Sequence, residues 1–145
     1  MGQKLVVYTD GAIRERATGL GVVIHDGQGQ VLAWRSKCLP RAMTCNEAEY
    51  EALILGLEAV HPFCPQEVCF RLDSLVVVNQ MRGVFAVRDA ALQRLNARAR
   101  QLVAHLPRVV FSHVGRRHNR LADALAQEAA EGKSVMAYDD GEEGR

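Results

Sequence analysis

Long apolar runs are missing from this 145-residue chain. No stretch approaches the ~20 consecutive apolar residues that a membrane-spanning helix needs, so a helical membrane protein is excluded. A signal peptide is not expected either, because Lys4 leads directly into strand-like sequence, and the expected location is the cytoplasm. Cysteine is sparse and unpatterned. Cys38, Cys45, Cys64 and Cys69 show no C-x-x-C spacing, and no two histidines form an H-x-x-x-H pair. The thiols therefore read as free, which argues against a zinc site or a disulfide framework. Charge of one sign is also scarce. The net charge is +1, too small an excess to announce a polyanionic partner. It is uneven, however: residues 132–145 carry a net −2, leaving +3 on the rest, and Arg116-Arg117-His118-Asn119-Arg120 concentrates positive charge in a loop. Internal repeats are absent. One domain is expected over residues 1–131, followed by 132–145, whose glycine, acidic and small residues without period read as a disordered tail.

What is present is an ordinary globular composition, 48% hydrophobic and 24% charged, in a chain long enough for one real core. The run Lys4-Leu5-Val6-Val7-Tyr8-Thr9-Asp10-Gly11 reads as a short strand, apolar on both faces and hence central in a sheet. After a polar stretch from Ile13 to Thr18, Gly19 to His25 and Val31 to Leu39 read as two more strands around the turn Asp26-Gly27-Gln28-Gly29. Thr44-Cys45-Asn46-Glu47 is a capping box opening a helix to about Val60. A strand over Glu67–Leu72, a helix from Leu75 to about Arg82, a helix over Asp89–His105, a strand over Val109–Val114 and a helix from about Asn119 to Ala130 follow. Asn119 is the expected cap of the last helix. The predicted fold is α/β, a five-stranded mixed sheet flanked by helices, with strands 1–3 antiparallel and strands 4 and 5 parallel to strand 1.

Four acidic residues stand out from this frame. Asp10 ends a buried strand, where a carboxylate is unfavourable unless its charge is compensated, although Asp-Gly is also a turn pair. Glu49 falls on the apolar face of its helix with Leu53, Gly56, Leu57 and Val60, whereas Glu47 is explained by capping and Glu51 and Glu58 by solvation. Asp73 ends a strand, though it could simply cap the next helix. Asp123 lies in the first turn of the last helix, where the helix dipole also favours a carboxylate. If the four meet, their mutual repulsion calls for divalent cations, and hard oxygen ligands select magnesium or manganese over zinc. Two ions sharing carboxylates suit phosphodiester cleavage.

At this point the sequence resembles ribonuclease H type 1. The resemblance is carried by Thr9-Asp10-Gly11, Gly19-Leu20-Gly21-Val22-Val23-Ile24, Thr44-Cys45-Asn46-Glu47-Ala48-Glu49-Tyr50-Glu51-Ala52-Leu53, Asp73-Ser74-Leu75-Val76-Val77-Val78-Asn79-Gln80, His113-Val114-Gly115-Arg116 and Asn119-Arg120-Leu121-Ala122-Asp123-Ala124-Leu125-Ala126. The last two resemble the compact bacterial and archaeal branch, which lacks a basic protrusion. The resemblance implies a metal-dependent endonuclease that hydrolyses the RNA strand of RNA/DNA hybrids, leaving 5′-phosphate and 3′-hydroxyl ends. It implies that Asp10 bridges two magnesium ions, that Asp123 holds the ion activating water, and that Glu49 and Asp73 hold the ion at the leaving oxygen. Manganese is an alternative metal. Gly11, Thr44, Asn46 and Ser74 are implied substrate contacts. Arg116, by analogy with the compact branch, or His118, by analogy with a mobile histidine in other relatives, would assist catalysis or product release. A monomer is expected. The sequence departs from the family at Leu75, often Gln, and at Cys45, usually Asn. Two alternatives are a non-catalytic nucleic-acid-binding module on the same fold and a related nuclease acting on DNA.

Overall fold

The computed structural model describes residues 2–132 and the backbone of 136–138. Its centre is a mixed sheet built on β1 (Lys4–Arg14), β2 (Ala17–Asp26), β3 (Val31–Leu39), β4 (Glu67–Leu72) and β5 (Val109–His113). The four helices are α1 (Cys45–Ala59), α2 (Leu75–Met81), α3 (Ala90–Val103) and α4 (Arg120–Ala130). β1, β2 and β3 form an antiparallel meander, and β4 and β5 lie parallel to β1, in the order β5-β4-β1-β2-β3. All five expected strands and all four expected helices are present. A short sixth strand, β6 (Met136–Tyr138), pairs antiparallel with β3 at the sheet edge. The disorder expected for 132–145 does not describe these three residues, and positions 133–135 and 139–145 of that segment lie outside the described residues.

β1 departs from expectation in a way that matters for the site. It does not end at Asp10 but continues to Arg14, because β2 pairs with it along its whole length, from Leu5↔Asp26 to Arg14↔Ala17. The reversal is a tight turn with Glu15 in the left-handed region at φ 47°. The polar stretch from Ile13 to Thr18 is therefore the end of one hairpin, with Ile13 and Arg14 in β1 and Ala17 and Thr18 in β2. The parallel partner β4 behaves differently: its ladder with β1 stops at Tyr8↔Arg71, short of Asp10. Asp10 thus sits in the interior of one pairing and just past the end of another.

The two faces of the sheet carry separate cores. Leu5, Val7, Val22, Ile24, Phe70 and Leu72 pack against α1, whose Tyr50, Leu53 and Leu57 are buried beneath α3 and the sheet. Most of α1 from Ala48 to Ala59 is buried, Glu49 included, while Glu51 and Glu58 reach solvent-side arginines. A buried hydrogen-bond network ties α1, α2 and α3 together. The Tyr50 hydroxyl donates to Gln80 Oε1 at 2.7 Å and accepts from Asn96 Nδ2 at 3.0 Å, while Arg100 Nε donates to Asn96 Oδ1 at 3.0 Å. On the opposite face, α4 lies across β2 and β1 over Val23 and Tyr8.

Candidate active site

α1 starts with both halves of its capping box: Thr44 Oγ1 accepts from the Glu47 amide at 3.2 Å and Glu47 Oε1 accepts from the Thr44 amide at 2.8 Å. This fixes the first turn, and with it Glu49, which is 8% exposed. α1 rests almost directly on β1 at Gly11, where a methyl group would lie 2.6 Å from the Ala48 carbonyl oxygen. That close approach is the structural use of Gly11. The alternative role of Asp73 as a helix cap is not what the structure shows. Ser74 caps α2, its Oγ accepting from the Val77 amide at 3.3 Å, which leaves the Asp73 carboxylate available.

α4 approaches the other face of the sheet equally closely. A methyl group at Gly19 would overlap the Ala126 carbonyl, and one at Gly21 the Ala122 carbonyl. Gly21 is the register partner of Asp10, so the same contact that seats α4 sets Asp123 beside Asp10. Asn119 stands at the N-cap of α4 as expected, its carbonyl accepting from the Asp123 amide at 3.0 Å, but its side chain has a further role that the sequence does not show. It precedes α4 but makes no side-chain capping bond. Instead its Nδ2 donates to the Thr9 carbonyl at 3.0 Å and to Asp73 Oδ2 at 3.3 Å. Its only sequence signal is its place four residues before Asp123, where a cap is the natural reading.

Three of the four acids converge. Asp10, Glu49 and Asp73 each place a carboxylate oxygen within 4.8 Å of the others. Asp123, half-buried, stands outside that trio, but its charge helps to raise the Asp10 pKa. Burial is the main force raising the Asp10 pKa to about 7, a hydrogen bond from Glu49 works against it, and the charges of Asp73 and Asp123 add to the rise. Glu49 is pushed higher still, by burial first and then by the charge of Asp10. The Gly11 amide, which donates to Asp10 Oδ1 at 3.0 Å, offsets part of that rise. With no cation, burial and like charge favour the protonated forms of both Asp10 and Glu49.

The donor set fits divalent cations. All ligand atoms are carboxylate oxygens, the type that hard ions such as magnesium and manganese take. Glu49 Oε1 is buried without a hydrogen-bond partner among the described residues, an arrangement that is unfavourable unless something binds there.

A pH effect follows from the raised carboxylates. Groups whose folded pKa is raised contribute stability below the ordinary carboxylate range, and that contribution is lost as pH rises, through about 7 for Asp10. A divalent ion reverses the preference by requiring the ionised forms. Added magnesium is therefore expected to raise the melting temperature more at about pH 8 than at about pH 5. Melting curves with magnesium or with a chelator check this, and an equal or smaller rise at the higher pH contradicts it.

The remaining expected site residues are more dispersed. Arg116 and His118 are exposed on a single 3₁₀ turn before α4. His118 lines a cavity of about 220 Å³ with Tyr8, His25, Asn119, Arg120 and Leu121. Thr44 is exposed and Asn46 half-buried at the start of α1. Leu75, where the family often has Gln, is 52% exposed beside Asp73.

The family model described as reverse transcriptase-like matches residues 8–129. Ribonuclease HI of Halobacterium salinarum is 38% identical over 130 residues, covering 88% of this chain and 65% of that protein. The chain thus spans about two thirds of the halobacterial protein's length, and 38% of the bifunctional protein Rv2228c of Mycobacterium tuberculosis, to which it is 33% identical over 94% of its own length. Solved structures agree. The RNase H1 structure from Halobacterium salinarum superposes with a TM-score of 0.85 at 36% identity, covering 90% of this chain and 99% of that one. LC11-RNase H1, from a compost metagenome and solved with an RNA/DNA hybrid, superposes with a TM-score of 0.83 at 36% identity, covering 88% and 97%. Shared sequence, shared sheet order and the trio of acids lead to one conclusion: the chain belongs to the type 1 ribonuclease H family.

Proposed function

We propose that the protein is a metal-dependent endonuclease that hydrolyses the RNA strand of RNA/DNA hybrids, leaving 5′-phosphate and 3′-hydroxyl ends, as a cytoplasmic monomer. The observation that carries this reading is the convergence of Asp10, Glu49 and Asp73 within 4.8 Å, with Asp123 alongside. The hybrid bound to LC11-RNase H1 supports the substrate class.

The four carboxylates would hold two magnesium or manganese ions. When bound, such ions neutralise charge on the scissile phosphate and ease formation of a hydroxide nucleophile. Asp10 is the acid that interacts with all three others, which suits it to the bridging position. Asp123 approaches from α4, on the side proposed for the attacking water. Glu49 and Asp73 would hold the ion at the leaving 3′-oxygen, and Glu49 would also sense the RNA 2′-hydroxyl.

Selectivity for the hybrid rests on shape and on 2′-hydroxyls in a wide minor groove, not on base sequence. At the start of α1, Thr44 would lie near a phosphate of the DNA strand and the side chain of Asn46 would touch the hybrid. Ser74 and the backbone of Gly11 flank the acids. The exposed turn bearing Arg116 and His118 supplies positive charge beside α4, and either side chain would assist catalysis or product release.

A substrate panel tests the reading. In magnesium or manganese, the RNA strand of an RNA/DNA duplex is expected to be cut to 5′-phosphorylated fragments. Double-stranded RNA, double-stranded DNA and a four-way DNA junction are expected to remain intact. Hybrid binding without cleavage in either metal would instead mark a binding module, and preferential cutting of the junction a DNA nuclease.

A further inference from the structure

We propose that Asn119 is a positioning residue of this site: its buried carboxamide holds Asp73 and the first turn of α4 to one point on β1, and cation affinity depends on that link. The inference rests on reading the carboxylates as cation ligands.

Asn119 is 1% exposed, and a buried amide is unfavourable unless it is hydrogen-bonded. Both bonds of its Nδ2 go to the site, while its Oδ1 is buried without a partner among the described residues. The Thr9 carbonyl, which Nδ2 reaches at 3.0 Å, lies just past Tyr8↔Arg71, where β4 leaves the ladder. A strand carbonyl that has lost its neighbour needs another donor, and the carboxamide provides it from a position 110 residues along the chain. The second bond, to Asp73 Oδ2 at 3.3 Å, occupies one oxygen of that carboxylate and leaves the other free. Meanwhile the Asn119 carbonyl accepts from the Asp123 amide at 3.0 Å. One residue therefore connects β1, the acid after β4 and the acid in α4. A neutral donor suits this place, because lysine or arginine would compete with the cation for Asp73.

The test uses the whole chain with Asn119→Ala and with Asn119→Asp, which keeps the shape but loses the donor. Asn96→Ala, in the buried network with Tyr50, serves as a control that destabilises without touching the acids. Manganese is titrated calorimetrically into each protein, and cleavage of an RNA/DNA hybrid is followed against metal concentration. Both Asn119 variants are expected to bind manganese about 10- to 100-fold more weakly. Their cleavage is expected to need correspondingly more metal, with KM for the hybrid little changed. Asn96→Ala is expected to lower the melting temperature and leave metal affinity as in the parent. If Asn119→Ala fails to fold, Asn119→Asp decides alone. Unchanged metal affinity in a folded Asn119 variant, or an equal loss in Asn96→Ala, overturns the proposal. A parent that binds manganese but leaves the hybrid intact refutes the proposed function, and the Asn119 inference is then judged on the calorimetry alone.

Discussion

Asp10→Asn is expected to abolish hybrid cleavage while raising the melting temperature of the metal-free protein. The two effects have one origin. Asp10 interacts with Glu49, Asp73 and Asp123 at once, so it is the acid whose charge a pair of cations needs most and whose charge the empty fold tolerates least. The amide preserves size, and its carbonyl can still accept from the Gly11 amide. What it removes is one negative charge from a buried cluster. Loss of the bridging ligand should lower the cleavage rate by at least ~10³-fold, about 4 kcal/mol of barrier at 1.36 kcal/mol per tenfold. Relief of like-charge repulsion should raise the melting temperature by a few degrees, the scale of roughly 1 kcal/mol in a domain of this size. Initial rates on a hybrid and calorimetric melting in chelator check the pair. An Asn variant that cuts as well as the parent refutes the proposed role of Asp10.

Gly21→Val is expected to have the largest effect on the fold and to disable the site from a distance. The α4 backbone sits on β2 so closely that any Cβ at Gly21 meets the Ala122 carbonyl, the Ala126 amide and Leu125. Two of these are backbone groups, so no rotamer change relieves the overlap. Either α4 lifts or the sheet deforms. Overpacking a core typically destabilises by 1–3 kcal/mol, and a backbone clash belongs at the upper end, about 3 kcal/mol. The melting temperature should fall by roughly 6–12 °C. Because Asp123 rides on the displaced helix, cleavage should fall even under conditions where the protein remains folded. Melting curves and rates measured well below the transition separate the two losses. A Val variant with parental melting temperature and activity would show that α4 is not held at this contact.

Much of the site was legible locally. Glu49 declared itself because its neighbours on the helix, Leu53, Gly56 and Leu57, are apolar, and the structure buries all of them. The capping box of α1 and the parallel direction of β4 and β5 followed from short-range chemistry and from the handedness of crossovers. Asp73 was ambiguous because Asp and Ser are both good caps, and only the packed position of α2 shows Ser74 taking that role. Asn119 is the cap position that the sequence indicates, but its side chain turns away from its own helix towards β1 and Asp73, which no local pattern shows. The reach of β1 beyond Asp10 was hidden in a polar segment whose pairing with β2 no periodicity marks. β6 lay in a stretch without any strand pattern.

By itself, then, the amino-acid sequence determined the elements, their order, the separation of buried from solvated acids and the kind of metal their oxygens would suit. Those features depend on neighbours within a few residues, through helical period, strand alternation and caps. Only the tertiary structure decided that three acids stand within 4.8 Å, that Asp123 joins them through α4, and that one asparagine braces the arrangement. These outcomes depend on how closely two helices settle onto opposite faces of one sheet, a distance set by Gly11, Gly19 and Gly21 against Ala48, Ala126 and Ala122. Contacts of that kind join residues far apart in the chain, and no local pattern records them.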